Sequence, residues 1–410
     1  MRCSRLADRL PLFGWKPHII TVAGGYSLQE GGLADPLETF PNQVQRVTDP
    51  IATLVRQNDY RVTRDSYKQV FSGSLRHRMK KWVAKIIFPD RTIFWALLAC
   101  LRSGKWAGKQ IEVVHSSQPS ASTHIIGYFL SRRLGVPWVA EFRDPLSWIP
   151  QAKDSSTLKQ RVLSWLEGWI VRQADATVVV ASTAQEYFSS KYPQAKVVSI
   201  PNGAIFDLSE VRHRLIARRS STNSKYVMVH AGNLYGGARK PEPLIRAAMI
   251  ASKRLTRPIE LHFYGNDAHL AAEIAYRLGC VDLVKTFANV PFDQCQEAIN
   301  EADVNVALLH DDPVAKVSIM SKYFDYITSG APILLLGDPE ALLSRIVEED
   351  KVGASFDYSE VERIADWIVY ALELPTKLIP ASDEICLKWS AEAMSQSMSE
   401  LFDELCARER

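Results

Sequence analysis

The stretch VMVHAGNLYGGARKPEPLIRAAM, residues 227–249, sets the reading of this chain. Its opening residues form an apolar run of strand length that ends at Gly232. A loop bearing Gly236 and Gly237 follows, and Pro241 stands where proline is best tolerated at a helix start. Strand, glycine loop and helix start in that order aim unpaired backbone N–H groups at one spot, where the helix dipole also favours negative charge. Arg239 and Lys240 add two positive charges, so a diphosphate fits the pattern. On this stretch alone, an ordinary strand-to-helix turn with solvated basic residues fits it too.

A second helix start lies in SIMSKYFDYITSGAPILLLG, residues 318–337, where the helix ends at Gly330 just before a buried strand. Ser321 can cap that helix or contact phosphate, and Lys322 can neutralise it. Asp325 sits about one turn in, where a carboxylate can accept hydrogen bonds from two ribose hydroxyls, although a solvated helix charge is the plainer reading. Together the two stretches describe a cradle for a nucleotide diphosphate.

Along the rest of the chain, short runs rich in Val and Ile alternate with amphipathic stretches, the pattern of parallel sheets buried on both faces. HIITVA, IEVVHSS, PWVAEF, ATVVVAS and KVVSIPNG mark strands in the first half. YVMVHAG, IELHFYG, VKTFANV, VNVALL, PILLLG and VGASFD mark them in the second. The fold class is therefore α/β, with two Rossmann-like doubly wound domains facing a cleft. A chain of 410 residues exceeds what one ordinary core supports, which agrees with two. We expect a first domain over 1–205, a second over 206–389 and a terminal helix over 390–410. The polar stretch 206–224 makes the connection.

Hydrophobic residues make up 47% and charged residues 23%, a soluble globular balance. The net charge of +3 hides an asymmetry: residues 1–200 hold 27 basic against 15 acidic side chains, and 201–410 hold 22 against 31. Such a split suits a first domain that meets an anionic partner. Six scattered cysteines with no metal-ligand spacing read as reduced thiols, so no metal is expected. The longest apolar run with aromatics, Thr92 to Leu101, falls short of a membrane span, and residues 1–10 lack a signal-peptide core. A cytoplasmic protein, peripheral on the inner face of the membrane, is the expectation.

The strings HAGNLYGGARKPEPLIRA, SKYFDYITSGAPILLL, VVVASTAQEYF with IPNGAIFD, and GVPWVAEFRDPLSW resemble family 4 of the retaining glycosyltransferases, which have the GT-B fold. The likeness runs from about Leu6 to the C-terminus and is greatest to a branch serving bacterial surface polysaccharide synthesis. It implies a hexosyltransferase-type enzyme that takes a sugar from a UDP- or GDP-type donor to a saccharide or lipid-linked acceptor, with no cofactor or metal. It further implies that Gly232 lies against the donor phosphates, with Arg239 or Lys240 as the basic partner and the terminal helix packed back on the first domain. Asp325 stands where the family usually has the second Glu of its E-x7-E pair. Val317 replaces the first Glu, and Asn233 replaces an Arg that often follows the loop glycine.

Ligands of doubly wound sheets sit at the carboxyl ends of strands, which selects His115, Ser117, His124, Arg143 and Asp144 as cleft residues, with His115, His124 and Asp144 as the catalytic candidates. The family often places a functional His where this chain has Ser117, two residues beyond His115. Each candidate also has a structural reading, as a strand-end hydrogen bond, a helix cap or an ion pair. No strong acid and base pair emerges, which suits a reaction in which the departing diphosphate takes the acceptor proton. Residues 74–91 alternate basic and apolar side chains at helical spacing, fit for an anionic membrane surface or for packing by one face. Nucleic acid is not an expected partner, because stacking aromatics are not interleaved with the basic residues.

Two other functions compete: a GT-B nucleotide-sugar epimerase, and a degenerate, non-catalytic partner protein. In the resembled family a strand and a glycine-rich loop precede RLADRLPLFGWKPHIITV, and Met1 leaves no room for them. We therefore expect a misassigned start or, failing that, a damaged form.

Overall fold

The structure is a computed structural model that describes residues 2–23, 43–49, 89–90, 92–103, 110–146, 157–219, 224–288, 290–310, 315–373 and 381–408. The basic stretch 74–91 lies outside the described residues except for Pro89 and Asp90.

Among the described residues, six strands belong to the first half: β1 (Ile19–Val22), β2 (Val44–Val47), β3 (Val114–Ser117), β4 (Trp138–Phe142), β5 (Ala176–Val179) and β6 (Val197–Ser199). Strands β3 to β6 form one parallel sheet in sequence order, and β1 pairs in parallel with β2. Every residue of β4 and β5 is buried, including Glu141 and Thr177, the two polar residues in these otherwise apolar runs. Trp138 anchors one face; truncating so large a buried side chain costs about 3–5 kcal/mol. The helix Ser122–Leu134 covers that face and stops at Gly135, whose φ of 66° suits the left-handed cap.

The second half holds β7 (Tyr226–Ala231), β8 (Ile259–Tyr264), β9 (Val284–Phe287), β10 (Val304–Leu308), β11 (Ile333–Leu336) and β12 (Gly353–Phe356). Their order is β12-β11-β10-β7-β8-β9, all parallel. The chain starts at the centre with β7, runs outward through β8 and β9, then returns to β10 on the other side. That reversal is the topological switch point of a doubly wound sheet.

The terminal helix Ala391–Arg408 returns to the first sheet. Met394, Met398, Leu401 and Phe402 pack on Val139 and Val178, together with Leu6 of the opening helix Arg2–Arg9. The close approach begins at Gly203, where an added Cβ would lie 2.1 Å from the Ser390 carbonyl oxygen. Within the polar stretch 206–224 lies a helix, Leu208–Arg219. Asp207 caps it by accepting from the Ser209 N–H at 2.7 Å, and Val211 is buried in the main apolar cluster.

Candidate active site

Strands β7 and β10 are paired only through Met228 and Val229 with Val304 and Asn305, and then they part. The opening is bridged by a side chain. The hydroxyl of Tyr326, fully buried on the helix Lys322–Ser329, accepts from the Ala231 N–H at 3.0 Å and donates to the Val306 carbonyl at 3.2 Å. His230 Nδ1 donates to the same carbonyl at 3.0 Å, which leaves Nε2 as the unprotonated ring nitrogen. Burial, opposed by that carbonyl, pushes His230 down to about 4. One carbonyl of β10 thereby fixes both the helix and the last residues of β7.

Beyond this point lies a cavity of about 440 Å³ at the carboxyl ends of β7, β8 and β9. Gly232, Asn233 and Arg239 line it after β7, Tyr264 and Gly265 after β8, and Ala288 and Val290 after β9. Ser321 and Lys322 close it from the start of the helix Lys322–Ser329. Close approach requires glycine at 265, where a Cβ would lie 2.6 Å from the Gly232 carbonyl oxygen; a Cβ on Gly232 would lie 3.1 Å from Arg239 Nη1, a contact that a small shift of that side chain relieves. Arg239 is held by a bond to the Asn233 carbonyl at 3.1 Å and by the Tyr235 ring 4.9 Å beneath it. Its Nε is buried without a partner. A wall of stacked rings, Tyr264 on Phe287 at 4.5 Å and 9°, stands at the β8–β9 end.

Four of the predicted donor residues, Gly232, Arg239, Ser321 and Lys322, are therefore brought together around one cavity. Ser321 makes no side-chain cap bond, so it does not serve the capping alternative. Asp325 lies a turn deeper and is buried, and its carboxylate accepts from Arg5 at 3.0 Å and faces Lys322 at 3.4 Å. It is thus not the solvated helix charge that spacing alone suggests. Lys240 is not among the lining residues and stands 5.6 Å over the Tyr358 ring. Val317 lies at the contact between the two halves, where its carbonyl accepts from Thr183 Oγ1 at 2.5 Å.

In the first half, His115 lies beside Glu141, Nε2 to Oε2 at 3.4 Å. Glu141 is fully buried on β4, paired with buried Arg2 at 2.8 Å and bonded by the Ser117 hydroxyl. Burial raises such a carboxyl, but Arg2, His115 and Ser117 together hold it well below the usual carboxylate range. His124, by contrast, has no exposure, bonds Ser116 Oγ through Nδ1 at 2.9 Å and stacks on Phe142 at 4.8 Å. Burial, then His115, lowers its pKa to about 3. The structure places His124 in the core, away from any acceptor surface. Asp144 is exposed just past β4, where its N–H and that of Arg143 donate to the buried Gln118 Oε1 at 3.2 and 2.9 Å.

Sequence reasoning missed Arg2, Arg5, Gln118, Glu141 and Tyr326. Glu141 had a signal, being the single acid inside the otherwise apolar run PWVAEF. Arg2 and Arg5 had none, because their partners lie far along the chain, Arg5 reaching the Gly203 carbonyl at 2.7 Å and Asp325.

Comparison with known structures agrees on the class. Sucrose-phosphate synthase from Thermosynechococcus elongatus superposes with a TM-score of 0.62 at 13% identity, covering 98% of this chain and 92% of that one. HepE from Anabaena, in complex with UDP and glucose, gives 0.60 at 15%, covering 98% and 95%. A glycosyltransferase from Rickettsia africae gives 0.59 at 14%, covering 98% and 93%. The fold is that of the GT-B glycosyltransferases. Residues 2–203 match the model of the glycosyl transferase 4-like domain, and the chain is a glycosyltransferase carrying that domain. No protein of curated function matches it.

Proposed function

We propose that this glycosyltransferase transfers a sugar, with retention, from a UDP- or GDP-linked donor to a saccharide or lipid-linked acceptor in cell-surface glycan synthesis. The observation that carries the proposal is the cavity at the switch point, where Gly232, Arg239, Ser321 and Lys322 converge on one space. HepE, of the same fold, is described with UDP and glucose and with UDP-glucose, which supports a nucleotide-sugar donor.

In this reading the nucleotide lies along the ends of β7 to β9 with its diphosphate between Arg239 and Lys322. Asp325 takes the ribose, and Lys240 adds charge from outside the cavity. The acceptor hydroxyl forms a bond to the anomeric carbon as the bond from that carbon to the diphosphate oxygen breaks. The proton passes to the departing diphosphate. Arg239 and Lys322 meet the developing charge there, with no resident metal ion in the scheme. His115, oriented by Glu141, and Asp144 position the acceptor on the first domain. Residues 74–91 hold the enzyme at the inner face of an anionic membrane, near a lipid-linked acceptor.

Titration calorimetry with UDP and GDP tests the core of this reading. One of the two is expected to bind with a micromolar dissociation constant. An intact, folded chain that binds neither would refute it.

A further inference from the structure

The helix Ile93–Arg102 buries Trp95, Ala96 and Ala99 against Val47 and Ile126. Its other side is not polar. Phe94, Leu97 and Leu101 are 43, 48 and 78% exposed, and at 100° per residue they fall within about 60° of one another, as one stripe. A surface helix normally turns charged side chains outward, so an apolar stripe left in solvent marks a contact surface.

The charge of the flanking sequence selects the partner. From residue 74 to residue 111 the sequence holds nine basic side chains and one acidic. The acidic one, Asp90, is spent internally, accepting from the N–H and hydroxyl of Thr92, the N–H and hydroxyl of Ser122, and the Ser120 hydroxyl, all between 2.5 and 3.0 Å. Those bonds hold its carboxyl below the ordinary value in spite of the burial that would raise it. The helix itself carries no acid and ends in exposed Arg102. A second copy of the chain would set one basic region against another, whereas an anionic surface satisfies both the charge and the apolar stripe. Among the described residues no helix is long and apolar enough to cross a membrane, so the contact is interfacial.

We propose that the stripe Phe94, Leu97 and Leu101 seats this protein on an anionic lipid surface, with the apolar side chains entering the boundary between headgroups and acyl chains. The proposal is independent of the donor site; it rests on the reading that the enzyme works at an anionic membrane, and adds to residues 74–91 a second helix that enters the surface.

The test is co-sedimentation of the full chain with vesicles of pure phosphatidylcholine or of phosphatidylcholine with phosphatidylglycerol. Binding is expected to the anionic vesicles only, weakening as salt rises. The variant carrying Leu97→Glu and Leu101→Glu should lose at least about tenfold in partitioning, since two exposed apolar groups become charged. Its melting temperature and UDP affinity should match the parent's. Should that variant fold poorly, Phe94→Ser carries the same comparison with a smaller loss. Trp165→Ser, which removes a ring 61% exposed on another helix, should leave partitioning unchanged. The proposal is overturned if the parent ignores anionic vesicles or if the stripe variants partition as it does. It is equally overturned if sedimentation velocity shows a dimer that the stripe variants dissolve while vesicle binding is absent.

Discussion

Replacing Arg239 by Ala isolates the diphosphate part of the donor site. The guanidinium lines the cavity, is tethered by one bond to Asn233, rests on Tyr235, and holds a buried Nε with no protein partner. Its ties to the fold are that tether and the Tyr235 ring, so stability should change by no more than about 2 kcal/mol. A charge-assisted hydrogen bond to phosphate is worth about 1.5–3 kcal/mol, which converts to a rise of about 10- to 150-fold in the dissociation constant for UDP. Arg239→Lys should recover part of the loss, because a point charge remains while the planar fork does not. Calorimetry with UDP and with uridine separates diphosphate contact from general damage: uridine, lacking phosphate, should bind both proteins alike. If the folded Arg239→Ala protein binds UDP within twofold of the parent, the placement of the diphosphate is wrong.

Three further outcomes follow from the geometry. Asp325→Asn should raise the dissociation constant for UDP about tenfold yet leave that for a 2′,3′-dideoxy analogue unchanged; equal losses would assign Asp325 to the Arg5 contact alone. Arg2→Met leaves Glu141 as an unpaired buried charge and should cost about 3–5 kcal/mol in urea unfolding, most of it restored by adding Glu141→Gln; a cost under about 1 kcal/mol would contradict the pairing. His124 and His230, lowered from 6.5 to about 3 and about 4, stay neutral in the fold but gain protons once unfolded. Their contribution is complete above pH 6.5 and is lost as pH falls, by up to about 2.7 kcal/mol per unit, so urea midpoints should drop between pH 6.5 and 4.5. His124→Gln should soften that slope, and an identical slope would rule His124 out.

Much of the fold was legible because buried parallel strands have no polar face to hide them. PILLLG, VNVALL and PWVAEF could be little else, and the strands found fall within those runs. β2 escaped because VQRV, with polar Gln45 and exposed Arg46, lacks that density. The helix Leu208–Arg219 hid behind surface charge, its burial resting on few residues such as Val211. At the site, the glycine loop and the helix start were readable because their chemistry is local. Their convergence was legible only through the doubly wound pattern. What could not be read were the long-range bonds: Arg5 to Asp325, Arg2 to Glu141, and the phenol of Tyr326 between two strands.

That phenol has a consequence for observing the enzyme at work. The Val306 carbonyl receives both the Tyr326 hydroxyl and the His230 ring, a few residues from the cavity, inside a core that excludes water. Its stretching frequency therefore reports on how firmly the two strands are held apart. A single 13C label at that carbonyl would give an infrared line sensitive to both bonds, so any shift of the helix bearing Lys322 when UDP is added would be read without a dye or coupled assay.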